Sequence, residues 1–166
     1  MKTWLLRALW LAALIIAGVW GWGLLHPNPE RVIRQRLAEV AQVASFSGKE
    51  SPLAQAANSQ KLTTFCTPDI EIPVDISGHG QHTVSGHDEL FQGAMGARAL
   101  VRGLKVEFLD VSVTVGPDGQ TAIVRLSAKG TVPGEKDLLA QELKMSLKKI
   151  GGDWLIQRIE TIKPMS

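Results

Sequence analysis

The sequence predicts an α+β domain, a cone-shaped body in which a curved antiparallel sheet wraps around about three N-terminal helices, preceded by a single transmembrane helix. Three observations predict it. An uncharged apolar run fills residues 8–25. Two proline-marked segments with apolar residues at helical spacing open the remainder. Beyond Leu104 the apolar period changes from 3.6 to 2.

The run from Ala8 to Leu25 holds eighteen residues without a charge, about the shortest length that crosses the hydrocarbon core as a helix. Trp4 and the Trp20/Trp22 pair stand near its two ends, where indole rings favour the headgroup level. Lys2 and Arg7 make a basic leading end, no A-x-A cleavage triplet stands near the end of the run, and no cysteine follows directly to take a lipid. The run therefore reads as an uncleaved signal anchor, with a cleaved secretory signal as the alternative. Residues 1–26 are assigned to the anchor and residues 28–163 to the folded domain. The lipid bilayer is the expected partner of residues 4–25. A short basic leader stays in the cytoplasm, so the domain is expected on the periplasmic side of an inner membrane. Arg31, Arg34 and Arg36 lie just beyond the run and nearly balance the inner charges.

From Asn28 onward sixteen Lys/Arg face sixteen Asp/Glu, once Lys2 and Arg7 are taken from the total of 18 basic residues. A domain of zero formal charge lacks the basic footprint of a nucleic-acid binder. Cys66 is the only cysteine, which leaves no internal disulfide and no cysteine-based metal cluster. It follows Phe65 at the end of a helical pattern and is expected to be a buried small hydrophobe.

Asn28-Pro29 and Ser51-Pro52 each place a capping side chain before a proline at the first helical position. Ile33, Leu37, Val40 and Ala44 give the first helix its inner stripe. The second runs from Leu53 to about Cys66, with Leu53, Ala57, Leu62 and Phe65 as its expected buried side, and Pro68 ends it. Ile70, Ile72 and Val74 alternate with Glu71 and Asp75 as a short strand, and Pro73 places that strand at a sheet edge. A Gly- and His-containing connection leads to a third helix capped by Ser85, with Asp88 and Glu89 in its first turn. Gly93, Gly96 and Gly103 predict that this helix is short or broken.

In the period-2 region Val106 and Phe108 keep one phase, while Leu109, Val111, Val113 and Val115 keep the other. Such a slip is what a β-bulge produces. Pro117-Asp118-Gly119 is a turn. Ala122, Val124, Leu126 and Ala128 then alternate with polar or exposed positions, as do Leu143, Met145 and Leu147. Gly151-Gly152 marks a tight hairpin turn, and Trp154 to Ile162 is the last strand. Three long hairpin-linked strands are thus expected after one short strand and three helices, covered mainly on one side. The open face carries Glu142, Lys144, Ser146 and Lys148, which predicts a monomer or a weak homodimer.

Three phrases recur in this order: Phe65-Cys66-Thr67-Pro68-Asp69-Ile70-Glu71-Ile72, then Gly86-His87-Asp88-Glu89-Leu90, then Gly152-Asp153-Trp154-Leu155-Ile156. Together with the element order they resemble the nuclear transport factor 2-like superfamily, close to its SnoaL-like branch with the cystatin-like cone. The resemblance spans about Pro29 to Ile162. It implies the cone fold and leaves function open, because that fold hosts isomerases, dehydratases, carriers and scaffolds. The superfamily's ketosteroid isomerases use an aspartate base with a tyrosine and a protonated acid as oxyanion donors. This chain has no tyrosine. The base position falls near Pro73, with Asp75 displaced by two. The superfamily also includes single-pass inner-membrane proteins whose outer domain is an assembly platform, and the architecture here is similar to theirs.

Two functions follow as expectations. The first is a membrane-tethered, non-catalytic binding or assembly domain with a membrane-protein partner. The alternative is a small-molecule-binding enzyme or carrier that holds a small apolar ligand in the cone. For the latter the catalytic candidates are Asp69 and Asp75, whose burial would raise the pKa of a base. Phe65, Phe91, Phe108 and Trp154 are the ligand-pocket candidates. No cofactor is expected. His79, His82 and His87 form the only histidine cluster, a weak alternative metal site against the favoured reading of no metal. Arg98 and Arg102 are expected on a solvated face.

Overall fold

The structure is a computed structural model that describes residues 15–16, 28–76, 80–135 and 139–162. Among the described residues no helix is long and apolar enough to cross a membrane. The run of residues 8–25, on which the transmembrane expectation rests, lies outside them except for Ile15 and Ile16.

The element order is α1 (Pro29–Ala44), β1 (Phe46–Ser47), α2 (Pro52–Thr63), β2 (Cys66–Ile76), β3 (Gly80–Ser85), α3 (Gly86–Leu100), β4 (Gly103–Val115), β5 (Thr121–Thr131), β6 (Leu139–Ile150) and β7 (Asp153–Thr161). The seven strands make one sheet in the order β1-β4-β5-β6-β7-β2-β3. β4 to β7 are the meander, four long strands, one more than expected. The sheet is mixed rather than purely antiparallel. β2 runs parallel to β7, since the chain crosses the whole sheet between them.

Both helix caps form as the sequence implies. The Asn28 side chain accepts from the Glu30 N–H at 3.0 Å and the Ser51 hydroxyl from the Ala54 N–H at 3.2 Å, each ahead of a proline that needs no donor. Ile33 and Leu37 on α1 are buried against Ile70, Val124, Leu126, Met145, Leu147, Trp154 and Ile156 of the sheet. Each such side chain contributes about 1.5–3 kcal/mol by leaving water. The period-2 register is equally regular. Ala122 faces Leu147, Val124 faces Met145 and Leu126 faces Leu143, so one face of β5 and β6 is core and the other is polar.

The second helix departs from its expected stripe. It ends at Thr63, and Cys66 already belongs to β2. Leu53 is 80% exposed and Ala57 is exposed, while Ser59 and Thr63 are the buried residues of α2. The helix packs between α1 and α3, and small hydroxyl side chains fit that approach where leucine does not.

β2 is longer than expected and is not an edge. β3 covers it, with Ile72 facing Val84 and Pro73 facing Thr83. The register with β7 runs only through Cys66 and Glu71, so Pro73 lies past that ladder and its missing N–H costs no bond there. β3 itself is absent from the sequence expectation. His82, Thr83 and Ser85 are all exposed, and a rim strand wetted on both faces writes no alternation.

The third helix is continuous for fifteen residues. Gly93 and Gly96 sit where an added Cβ would touch nothing within 4 Å, so they weaken the helix without breaking it. Ser85 does not cap through its side chain. The Glu89 carboxylate instead accepts from the Ser85 N–H at 2.8 Å, reaching back across the first turn from four residues on.

The expected bulge is present. Leu109 faces Ser127 and Ser112 faces Arg125, with the register shift between them. Asp110 takes the left-handed backbone, φ 52°. The slip therefore falls at Asp110, and Leu109 stays in the outward phase, 46% exposed. The bend carries β4 toward α1. Gly151 and Gly152, at φ 60° and 90°, make the β6–β7 hairpin turn, a pair of left-handed positions that glycine takes without strain.

Candidate functional site

The predicted pocket aromatics do not share one environment. Phe65 and Trp154 are each 2% exposed, and Trp154 is a member of the main core. The Phe65 carbonyl accepts from the Ile156 N–H at 2.9 Å, and its ring lies under the Arg36 guanidinium, 4.6 Å from carbon to centroid. These two rings are packing elements rather than the walls of a hollow. Phe91 on α3 is half-buried. Phe108 is half-buried too and packs against the core. It also lines an open groove of about 540 Å³ between α1 and the bulged part of β4.

The groove follows from the strand order. β1 covers only the Gly103–Leu104 end of β4, so from Lys105 onward that sheet edge faces α1. An edge presents unpaired backbone groups, and α1 supplies partners. The Ser45 hydroxyl accepts from the Val106 N–H at 2.9 Å and donates to the Ala41 carbonyl at 2.7 Å. Arg34 Nη1 donates to the Val111 carbonyl at 2.6 Å, just past the bulge. The groove between these two clamps is lined by Leu37, Ala38, Ala41, Phe108 and Leu109. Its ionisable residues are Arg34, Lys105 and Glu107. Arg34 pairs with Glu30 at 2.9 Å and Lys105 with Glu107 at 3.1 Å. Such a groove offers apolar contact and fixed charges. Its one lining carboxylate among the described residues, Glu107, is held by Lys105.

Asp69 stands apart from the groove. It is exposed, and its carboxyl is held below the ordinary range. The nearby Thr67 hydroxyl leads, although it falls short of a full hydrogen bond, followed by the residue's own backbone and by Gln157, whose Nε2 donates at 3.3 Å. A base needs the opposite shift, so the expectation that burial would activate Asp69 is corrected. Asp75 lies on β2 opposite Gln81, but its side chain is outside the described residues.

Two of the three candidate histidines lie among the described residues. His79 is outside the described residues. His82 is exposed on β3, opposite Val74. His87 Nε2 lies 3.0 Å from the Cys66 carbonyl, and because a carbonyl only accepts, that nitrogen carries the proton and donates. It is thereby occupied and not free to bind a metal. Among the described residues no three His, Cys, Asp or Glu side chains come together as ligands. Cys66 is buried as expected, and burial pushes its thiol up to about 12.

Arg98 overturns its sequence expectation. It is 5% exposed, with Nη1 at 2.8 Å from Glu50, Nη2 donating to the Val43 carbonyl at 2.8 Å, and its guanidinium 4.8 Å from the Phe46 ring centroid. One side chain on α3 thus ties the ends of α1, β1 and α2. Arg102 is exposed, as expected. The signal that was available is the spacing of Phe46 and Glu50, an aromatic and an acid in one connection, but nothing local in the sequence points them at Arg98.

No family model matches the chain, and no curated protein matches it in sequence. Solved structures do match in shape. Aln2 from a Streptomyces species superposes with a TM-score of 0.64 at 14% identity, over 82% of this chain and 91% of its own. A protein from Novosphingobium aromaticivorans described as nuclear transport factor 2-like with a cystatin-like fold gives 0.61 at 17% identity, over 79% of each chain. The fold is the nuclear transport factor 2-like cone. A candidate scytalone dehydratase from the same organism gives 0.61 at 16% identity, over 81% of this chain and 83% of its own. At these identities the likeness concerns the cone and its helices, and function has to be argued from this chain's own residues.

Proposed function

We propose that the chain is a binding or assembly domain of the nuclear transport factor 2-like type, tethered to an inner membrane through residues 8–25 and facing the periplasm. The observation that carries the reading is the α1–β4 groove, an apolar channel beside a sheet edge whose ionisable residues are all engaged in ion pairs. That is a surface for contact, not for proton transfer. A tether confines the domain to two dimensions and raises its effective concentration near membrane partners. The charged open face, where Lys144, Glu160, Arg158 and Glu71 form a row of ion pairs, favours a monomer or a weak pair.

The test has two parts. The full chain should stay with membranes through alkaline carbonate extraction, and a chain lacking residues 1–26 should not. A photo-crosslinking residue placed at exposed Ala38 should give a discrete protein adduct in native membranes, whereas one placed at Lys148 should not. Full release by carbonate overturns the tether. Equal or no adducts at the two positions overturn the groove as the contact surface.

A second reading, an enzyme or carrier for a small molecule, is favoured by one observation. Arg36 Nε, Ser59 Oγ and Thr67 Oγ1 are buried without a hydrogen-bond partner among the described residues, and a polar ligand that reached them would supply one. The reading requires a compound whose binding protects the chain from heat and whose effect is lost in Ser59→Ala.

A further inference from the structure

A second depression lies beyond the groove, where β1 covers the start of β4. It has a volume of about 480 Å³ and is walled by Phe46, Leu104 and Pro133, with Lys49, Arg102 and Lys105 around them. Among the described residues three cations and no carboxylate line it, in a domain whose formal charge is zero. Two of the acids nearest in sequence are held elsewhere. Glu50 is committed to Arg98 at 2.8 Å, and Glu107 reaches only Lys105, at 3.1 Å. Glu135 is exposed in the turn after Pro133. Lys49 and Arg102 have no ion-pair partner among the described residues.

The cations are held near one another by backbone, not by chance rotamers. β1 pairs with β4 through Phe46 opposite Leu104 and Ser47 opposite Gly103. Gly48 then passes so close to the next strand that an added Cβ would lie 2.2 Å from the Arg102 carbonyl oxygen. Only glycine allows that approach, and it sets Lys49 beside Arg102. Phe46 is fixed from behind by the buried Arg98 guanidinium, which leaves its other side to form the pocket wall.

An apolar floor of this size under a rim of like charges matches a ligand that is apolar in body and anionic at one end. The geometry points to a binding site for an anionic amphiphile, a carboxylate or phosphate head on an aryl or alkyl body, with Lys49 and Arg102 on the head and Phe46, Leu104 and Pro133 on the body. This site adjoins the α1–β4 groove and shares Lys105 with it, but the residues given to head and body, Lys49, Arg102, Phe46, Leu104 and Pro133, lie outside the groove. Arg102 gives the head a bidentate fork and Lys49 a point charge.

The probe is 2-naphthoate, with its neutral isostere 2-naphthylmethanol, titrated by naphthalene fluorescence against the full chain in phosphatidylcholine nanodiscs, with empty discs subtracted. One saturable site should bind the acid at least tenfold more tightly than the alcohol. The double variant Lys49→Gln/Arg102→Gln should remove that preference, and Lys148→Gln on the open face should keep it. Circular dichroism confirms that the variants fold. Equal affinity for acid and alcohol, no saturable binding, or an unchanged preference in the double variant overturns the site. Flotation of the nanodisc-held chain with phosphatidylglycerol vesicles, dependent on Lys49 and Arg102, assigns the head to a bilayer lipid. Naphthoate binding without flotation assigns it to a soluble acid.

Discussion

Arg98 Nη1 and Glu50 Oε2 meet at 2.8 Å across the junction of α3 and the connection that enters α2, with the arginine side chain 1% exposed. Phe46 and the Val43 carbonyl close around the guanidinium, so the arginine has no water to fall back on, while the Glu50 side chain is 18% exposed and also accepts from Asn58 Nδ2 at 3.2 Å. Arg98→Met should therefore cost about 3 kcal/mol in urea unfolding, because Glu50 keeps part of its burial without a counter-charge. Glu50→Gln should cost at least as much, since it strands the arginine, the more buried of the two charges. A loss below about 1 kcal/mol for Arg98→Met would show that the pair is solvated.

Trp154 opens β7 and lies under the sheet's inner face with Ile156. Trp154→Ala should destabilise by about 3–5 kcal/mol, with Trp154→Phe losing much less. The measurement is thermal unfolding of each variant. A neutral alanine variant would return this residue to the role of a pocket wall.

Asp110 is the one residue outside glycine with a left-handed backbone, φ 52°, among the described residues. Asp110→Gly should be neutral or stabilising by several tenths of a kcal/mol, while Asp110→Val should cost about 1–2 kcal/mol through the strain of a β-branched side chain there. Equal stabilities would mean that the bulge relaxes away when its residue changes.

The bulge also marks how far the sequence speaks. The change of period at Leu104, the phase slip before Val111 and the glycine pair at 151–152 each leave a local trace, because an alternating face or a left-handed turn restricts residue types directly. Leu53 misled, since a leucine at helical spacing fits a buried stripe and only tertiary context reveals that Ser59 and Thr63 hold that side. β3 had no trace because both its faces meet water. Arg98 and Glu50, 48 residues apart, illustrate the remaining loss: a non-local pair writes no period. The candidate site was less legible than the fold for the same reason. Of the aromatics named, only Phe108 lines the groove, and the groove exists because β1 stops after two residues.

The acid limb of stability should depend on Asp118 in a definite direction. Its carboxyl is lowered first by the Gln120 N–H, then by the Thr121 hydroxyl, whose bonds span 2.9–3.2 Å. A depressed folded-state pKa means stability that is present above the unfolded value, near pH 3.9, and lost as pH falls through the folded value. Asp69 and Glu160 are shifted the same way, the latter chiefly by the Arg158 hydrogen bond. Urea unfolding between pH 6 and pH 2 should thus weaken steadily below about pH 4, and Asp118→Asn should flatten that fall. A variant as acid-sensitive as the parent would remove the turn from the account.

Thr63 and Thr67 supply a matched pair of substitutions. Both are 1% exposed. The Thr63 hydroxyl donates to the Gln60 carbonyl at 2.7 Å, while the Thr67 hydroxyl has no partner among the described residues. Valine has nearly the shape of threonine and no oxygen. Thr63→Val should lose about 1 kcal/mol with its hydrogen bond, whereas Thr67→Val should be neutral or stabilising, because an unsatisfied buried oxygen is a cost that valine lacks. The comparison also separates the two functional readings. A small molecule that reaches the interior and bonds to Thr67 would protect the parent from heat and fail to protect Thr67→Val, whereas Thr63→Val would respond like the parent. If no compound behaves in that way and Thr67→Val is more stable than the parent, the buried oxygen is a defect of packing and the interior is closed to ligands.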